Sequence, residues 1–257
     1  SECHTLLTSP RGSRLIERAQ AMESQLEDWQ LANLREMRRE RDRAIATPIS
    51  LVSRLARATA VAEVRWLEAK QESNFALFAP HLEEVVALTR DKAQVLSQAL
   101  NLSPYDALID GFSPGFTAAE IDKLFRAMSR RLPELIREAI ELQAKRPPMP
   151  LAGKVSPSKQ RALCIEVMRA LGFPFDRGRF DESDHPFTEG VNGDVRVTTR
   201  FVPQEPFTGL MGALHETGQA LYDLGLPEEW RDQPVGRDRG MALEESQSLL
   251  LEMIIGR

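Results

Sequence analysis

Leu214-His215-Glu216-Thr217-Gly218-Gln219-Ala220-Leu221-Tyr222 is the stretch on which the reading of this sequence turns. It lies within a run from about Phe207 to Leu224 that predicts a helix, stopped by Gly225 and Pro227. On a helix, positions i and i+4 share a face, so His215 and Gln219 stand together with Glu216 beside them. The pattern is one residue from HExxH, in which two histidines bind zinc and the glutamate acts as general base. Gln219 occupies the second histidine's place. Taken alone, these residues read more simply as a surface His and Glu on a helix, so the neighbouring sequence has to decide.

Upstream, Asp194 to Val202 alternates. Val195, Val197, Thr199 and Phe201 fall on one face, and Asp194, Arg196, Thr198 and Arg200 on the other. This predicts a half-exposed strand whose polar face could line a cleft. Phe173 to Gly190, rich in Gly, Pro and Asp, reads as strand and loop. Downstream, a helix from about Gly240 to Ile255 carries Leu243-Glu244-Glu245-Ser246-Gln247-Ser248. Glu245 follows Gln219 by 26 residues. That spacing suits a zincin in which a carboxylate from a following helix supplies the third ligand.

The first 145 residues read as successive helices. Leu26–Ala46 has a broad apolar face and no Gly or Pro. Thr47-Pro48 closes it and opens the next helix. Ile49–Ser73 and Phe75–Leu100 are long and amphipathic, with Pro80 expected to start or kink a helix. Thr117-Ala118-Ala119-Glu120 is a capping box introducing Ile121, Leu124, Phe125 and Met128 on one face, with a bend or break expected at Pro133. Arg146–Pro150 reads as a linker. Another helix is expected over Ser158–Leu171.

Composition narrows the function classes. At roughly 150 residues per domain, 257 residues make between one and two domains. Aromatics are only 6% while Leu, Ala, Glu and Arg abound, which favours helices over a β-sandwich. The net charge of −5 argues against a nucleic-acid partner. The basic run Arg35–Arg43 is interleaved with acids and reads as a solvated helix face. There is no apolar run of about 18 residues for a membrane span. No basic-then-apolar leader follows Ser1. Cys3 and Cys164 are far apart and lack metal-ligand spacing, so two free thiols in a reducing, cytoplasmic setting are expected.

Together these segments resemble the M32 family of metallocarboxypeptidases, the thermostable carboxypeptidase type. The resemblance rests on His185-Pro186-Phe187, the DxRxT strand Asp194–Thr198, the helix His215–Tyr222, Gly225-Leu226-Pro227 and Glu245-Ser246-Gln247-Ser248. In the helical part it continues through Ala32–Glu36, Asn74-Phe75-Ala76, Phe78–Leu82 and Pro104–Leu108. It runs from about Leu26 to Arg257. It implies a mainly α-helical, multi-helix zincin-like fold with a small β element beside the active-site helix. Residues 1–145 would form a helical region and 146–257 the metallopeptidase-like region, both parts of one larger catalytic domain.

The activity it implies is removal of C-terminal residues from peptides by metal-activated water attack, with zinc or another divalent metal as cofactor. By the same resemblance His215 and Glu245 are metal ligands, with Gln219 a weak ligand or a hydrogen-bonding neighbour. Glu216 activates water and protonates the leaving amine, and Arg196 and Asp194 support the cleft, the alternative for these two being a surface ion pair. His185 is expected to organise its loop, Tyr222 to pack, and His4 and His81 to be structural or surface residues. A peptide is the implied partner, and a homodimer the family's usual state.

The sequence departs from the family in three ways. Gln219 replaces a histidine, and an amide oxygen is a neutral, harder donor than imidazole. Glu244 stands where a histidine is usual, about 100° around the helix from Glu245. The chain is also short, since family members extend beyond both its ends. Two readings therefore stand: an active metallocarboxypeptidase, or a weak or inactive relative that has lost its metal and keeps the scaffold for binding or assembly.

Overall fold

The computed structural model of the protein describes residues 2–146, 153–191 and 193–255. Its elements are mainly α-helical, with one three-stranded sheet among the described residues. No helix among these residues is long and apolar enough to cross a membrane. The chain divides into two compact units, Ser1–Ala118 and Ala119–Arg257.

The first unit holds α1 (Glu2–Leu7), α2 (Pro10–Ala21), α3 (Asp28–Ala46), α4 (Ile49–Gln71), α5 (Phe75–Leu100) and α6 (Pro104–Ile109). Local chemistry sets the boundaries. Ser9 and Ser103 cap α2 and α6 through side chains that accept from Gly12 N and Asp106 N, each followed by a proline in the first turn. Asn101 ends α5 in the left-handed conformation, φ 53°. The α4–α5 pairing buries Leu51, Ala58 and Leu88. Pro80 neither starts nor stops α5, which begins at Phe75 and runs through it. His4 is structural, its Nε2 lying 2.9 Å from the Thr47 carbonyl. Asp110 ties this unit together from beyond α6. Its Oδ2 accepts from Arg43 Nη1 at 2.7 Å and Arg39 Nη2 at 3.2 Å. Burial lowers the Arg43 pKa against the opposing pull of Asp110.

Helix α7 (Ala118–Lys145) starts where Asp106 Oδ1 accepts the Ala118 N–H at 2.7 Å. It is continuous through Pro133, so the helix does not break there. Proline costs one main-chain hydrogen bond there, and the Leu, Glu, Ile, Arg and Ala on either side are good enough helix formers to carry the helix across. No residue of α7 is buried, so the apolar face of Leu124, Phe125 and Met128 is exposed rather than core. Of the expected linker, residues 147–150 lie outside the described residues.

The second unit continues with α8 (Pro157–Ala170), β1 (Gly178–Glu182), β2 (Phe187–Val191), β3 (Asp194–Thr199), α9 (Pro206–Leu224) and α10 (Met241–Ile255). The sheet order is β1-β3-β2, with β3 parallel to β1 and antiparallel to β2. The alternation in β3 follows the sequence. Val195, Val197 and Thr199 are buried, while Arg196 is exposed. The strand ends at Thr199, three residues short of the expected Val202. The buried face joins Cys164 and Met168 of α8, Phe180 of β1, and Ala213 and Ala220 of α9 in one core. Thr199 Oγ1 donates to the Gly209 carbonyl at 3.0 Å, fixing β3 against the start of α9.

Candidate metal centre

Helix α9 is buried along Ala213, Leu214, Glu216, Thr217, Gly218 and Ala220, while His215 and Gln219 are half-buried on one flank. Helix α10 packs along that flank. Its approach is set at Gly218, where a Cβ would stand 2.6 Å from Ser248 Cα and 2.8 Å from the Gln247 carbonyl oxygen. Glycine is needed here for backbone-to-backbone contact, and that contact brings the side chains of α10 onto those of α9.

Glu245 and His215 meet across this seam, with Oε2 3.1 Å from Nε2. Gln219 completes a triangle, its amide Nε2 lying 3.3 Å from Glu245 Oε1 and 3.5 Å from His215 Nε2. On the far side of the imidazole, Nδ1 lies 2.8 Å from Glu252 Oε1. Both ring nitrogens of His215 therefore face carboxylates, Nδ1 that of Glu252 and Nε2 that of Glu245. A ring nitrogen and a carboxylate oxygen 3.1 Å apart are bridged by a proton when no metal ion stands between them.

The residues present fit a metal ion in spacing, with one weakened donor. Ligands at about 2.0–2.1 Å from a tetrahedral zinc stand about 3.3 Å from each other. Here the separations are 3.1 Å from His215 Nε2 to Glu245 Oε2, 3.3 Å from Gln219 Nε2 to the other oxygen of Glu245, Oε1, and 3.5 Å between the two Nε2 atoms, so the carboxylate meets its two neighbours with different oxygens. A half-turn of the Gln219 amide exchanges Nε2 for Oε1 and offers a carbonyl donor at the same place. Among the described residues no three His, Cys, Asp or Glu side chains form such a group, because the third donor is this amide.

Glu216 stands apart from the triangle, turned toward the sheet. Thr188 of β2 donates its hydroxyl to Glu216 Oε2 at 2.7 Å and to its main-chain carbonyl at 2.9 Å. The carboxyl is 6% exposed, and burial raises its pKa above the ordinary range. The Thr188 hydrogen bond and the field of His215 pull it back down, while Glu245 adds to the rise. A carboxyl raised in this way holds a proton more readily than an exposed one. Burial also raises Glu244, followed by the fields of Asp223, Asp238, Glu245 and Glu216.

The structure thus brings His215, Gln219 and Glu245 together, with Glu216 beside them on α9 but bonded to Thr188 of β2. It does not bring Asp194 and Arg196 to them. Strand alternation turns both away from α9, onto the outer face of β3. There they form a two-pronged ion pair at 2.6 and 3.0 Å that holds both in their charged forms. His185 organises its loop through its carbonyl, which accepts from Ser183 Oγ at 2.6 Å. The Tyr222 hydroxyl accepts the Arg239 N–H at 3.2 Å, so it does more than pack: it holds the segment leading into α10.

Sequence reasoning missed two participants. Glu252 had a signal, since it stands seven residues, two helical turns, beyond Glu245 on the same face. Thr188 had none, because its reach to Glu216 follows only from the pairing of β2 with β3, Thr188 opposite Val197.

Comparison with known proteins identifies relatives over the length of the chain. Thermostable carboxypeptidase 1 of Thermus thermophilus is 36% identical over 267 residues, an alignment that covers 99% of this chain and 52% of the relative. Carboxypeptidase 1 of Bacillus subtilis is 36% identical over 198 residues, covering 76% of this chain and 39% of the relative. Among solved structures, Trypanosoma cruzi metallocarboxypeptidase 1 superposes with a TM-score of 0.89 at 38% identity, covering 98% of this chain and 51% of that one. The chain therefore spans about half the length of the first of these relatives. With all 257 residues matched, the chain belongs to the Carboxypeptidase Taq (M32) metallopeptidase family.

Proposed function

We propose that this chain carries the metal-binding and proton-transfer residues of a divalent-metal-dependent carboxypeptidase that removes C-terminal residues from peptides. The observation that carries this reading is the convergence of His215 Nε2, the Glu245 carboxylate and the Gln219 amide, with the buried carboxyl of Glu216 at the next position of the same helix. His215, Glu245 and Gln219 would hold the ion, which when bound supplies positive charge to polarise the scissile carbonyl. Glu252 fixes the His215 ring through Nδ1. Glu216 accepts the proton of the attacking water on its carboxylate and passes it to the nitrogen of the leaving residue. Thr188 holds that carboxylate in one orientation throughout.

Residues 1–145 and 146–257 are read as parts of one larger catalytic domain, because the relatives that match along the whole chain are about twice its length. The test is to purify the protein, quantify bound divalent metal, and follow release of the terminal residue from an N-blocked dipeptide with and without added zinc or cobalt. Activity that needs the metal and disappears in Glu216→Gln, while that variant still binds metal, is the expected result. A protein that binds no divalent ion and releases nothing would overturn the reading.

A further inference from the structure

The inference concerns Gln219 and rests on the metal-site reading above. The donor atoms available at the α9–α10 seam are one imidazole nitrogen and two kinds of oxygen, carboxylate and amide carbonyl. Imidazole suits zinc, whereas carboxylate and carbonyl oxygens suit harder ions such as manganese. A neutral carbonyl in the third place therefore costs zinc more than it costs manganese. The seam cannot draw closer to compensate. Gly218 leaves no clearance between the two backbones, and Glu252 pins the ring of His215 from behind. Glu216 does not make up the deficit, because its carboxylate is held toward β2 by Thr188.

We propose that Gln219 sets the metal preference of this site, lowering the advantage of zinc over manganese below what a histidine at that position would give. The side chain lies within 3.5 Å of both other donors, so a longer or bulkier intermediary is not needed for it to reach the ion. Irving–Williams ordering still places zinc above manganese in absolute affinity, and the inference is about the ratio between them.

The experiment measures dissociation constants of the purified metal-free protein for zinc, by competition with a fluorescent chelator, and for manganese, by electron paramagnetic resonance of the free ion. The protein is compared with Gln219→His and Gln219→Leu. Gln219→His is expected to tighten zinc on the order of 100-fold and manganese less than about 10-fold. Gln219→Leu, which removes the donor at similar volume, is expected to loosen both ions. Equal tightening of the two ions in Gln219→His, or unchanged constants in Gln219→Leu, would overturn the inference while leaving the proposed function standing. Failure of all three proteins to bind either ion would overturn the metal site itself, and this inference with it.

Discussion

Gly218 of α9 and Ser248 of α10 stand in direct main-chain contact: a methyl group on Gly218 would lie 2.6 Å from Ser248 Cα. The spacing of the His215–Glu245 pair depends on this approach. Gly218→Ala must push the two helices apart, because the obstructing atoms are backbone. Overpacking of this kind costs about 1–3 kcal/mol. Urea unfolding is expected to show that loss, and zinc affinity to fall by a larger factor than in an equally destabilised variant remote from the seam.

Glu252 is expected to matter for affinity more than for folding. Glu252→Leu removes the acceptor at His215 Nδ1, and loss of such a partner typically costs about 10–100-fold in metal binding. Glu252→Gln keeps a carbonyl acceptor and should recover part of the loss. Calorimetric titration with zinc on both variants checks the order.

Asp110 offers a test in the first unit. Asp110→Ala leaves Arg39 and Arg43 without their shared carboxylate partner at only 27% and 17% side-chain exposure. Breaking a buried ion pair costs about 3–5 kcal/mol, and this partly solvated one should cost about 2. A reduced midpoint in chemical denaturation, with Asp110→Asn in between, is the expected outcome.

Cys164 gives a pH dependence with a definite sign. Burial in the α8–α9 core pushes its thiol from an ordinary 9.0 up to about 11. The folded protein therefore favours the neutral thiol. That contribution is complete below about pH 9 and is lost as pH rises through about 11. The loss is on the order of 2 kcal/mol. The difference in stability between the protein and Cys164→Ala, measured from pH 8 to 11, should shrink toward the alkaline end. In the native protein a thiol reagent at pH 8 should modify exposed Cys3 and spare Cys164.

Much of this architecture was legible because periodicity and caps act locally. α5 spans Phe75–Leu100 as expected, α9 begins one residue before the expected Phe207, and β3 buries the face its alternation marked. Proline was weighed too heavily, since at Pro133 the flanking residues outweigh one lost hydrogen bond. In the candidate site, His215, Glu216, Gln219 and Glu245 were found through helical spacing and family resemblance. The alternation of β3 had already put Asp194 and Arg196 on its polar face, and their ion pair follows from i, i+2 neighbours on one side of a strand. The Thr188–Glu216 contact was out of reach, because a strand's partner is chosen by the whole sheet and not by its own sequence.

Three donors and their imidazole anchor all belong to α9 and α10, whereas the hydroxyl that restrains Glu216 comes from β2. The residue assigned the proton thus shares a helix with two of the ion's donors, while its restraint comes from a separate strand. Mutation of Thr188 can change how Glu216 is held without touching any of those donors, whereas mutation along α9 reaches both functions at once.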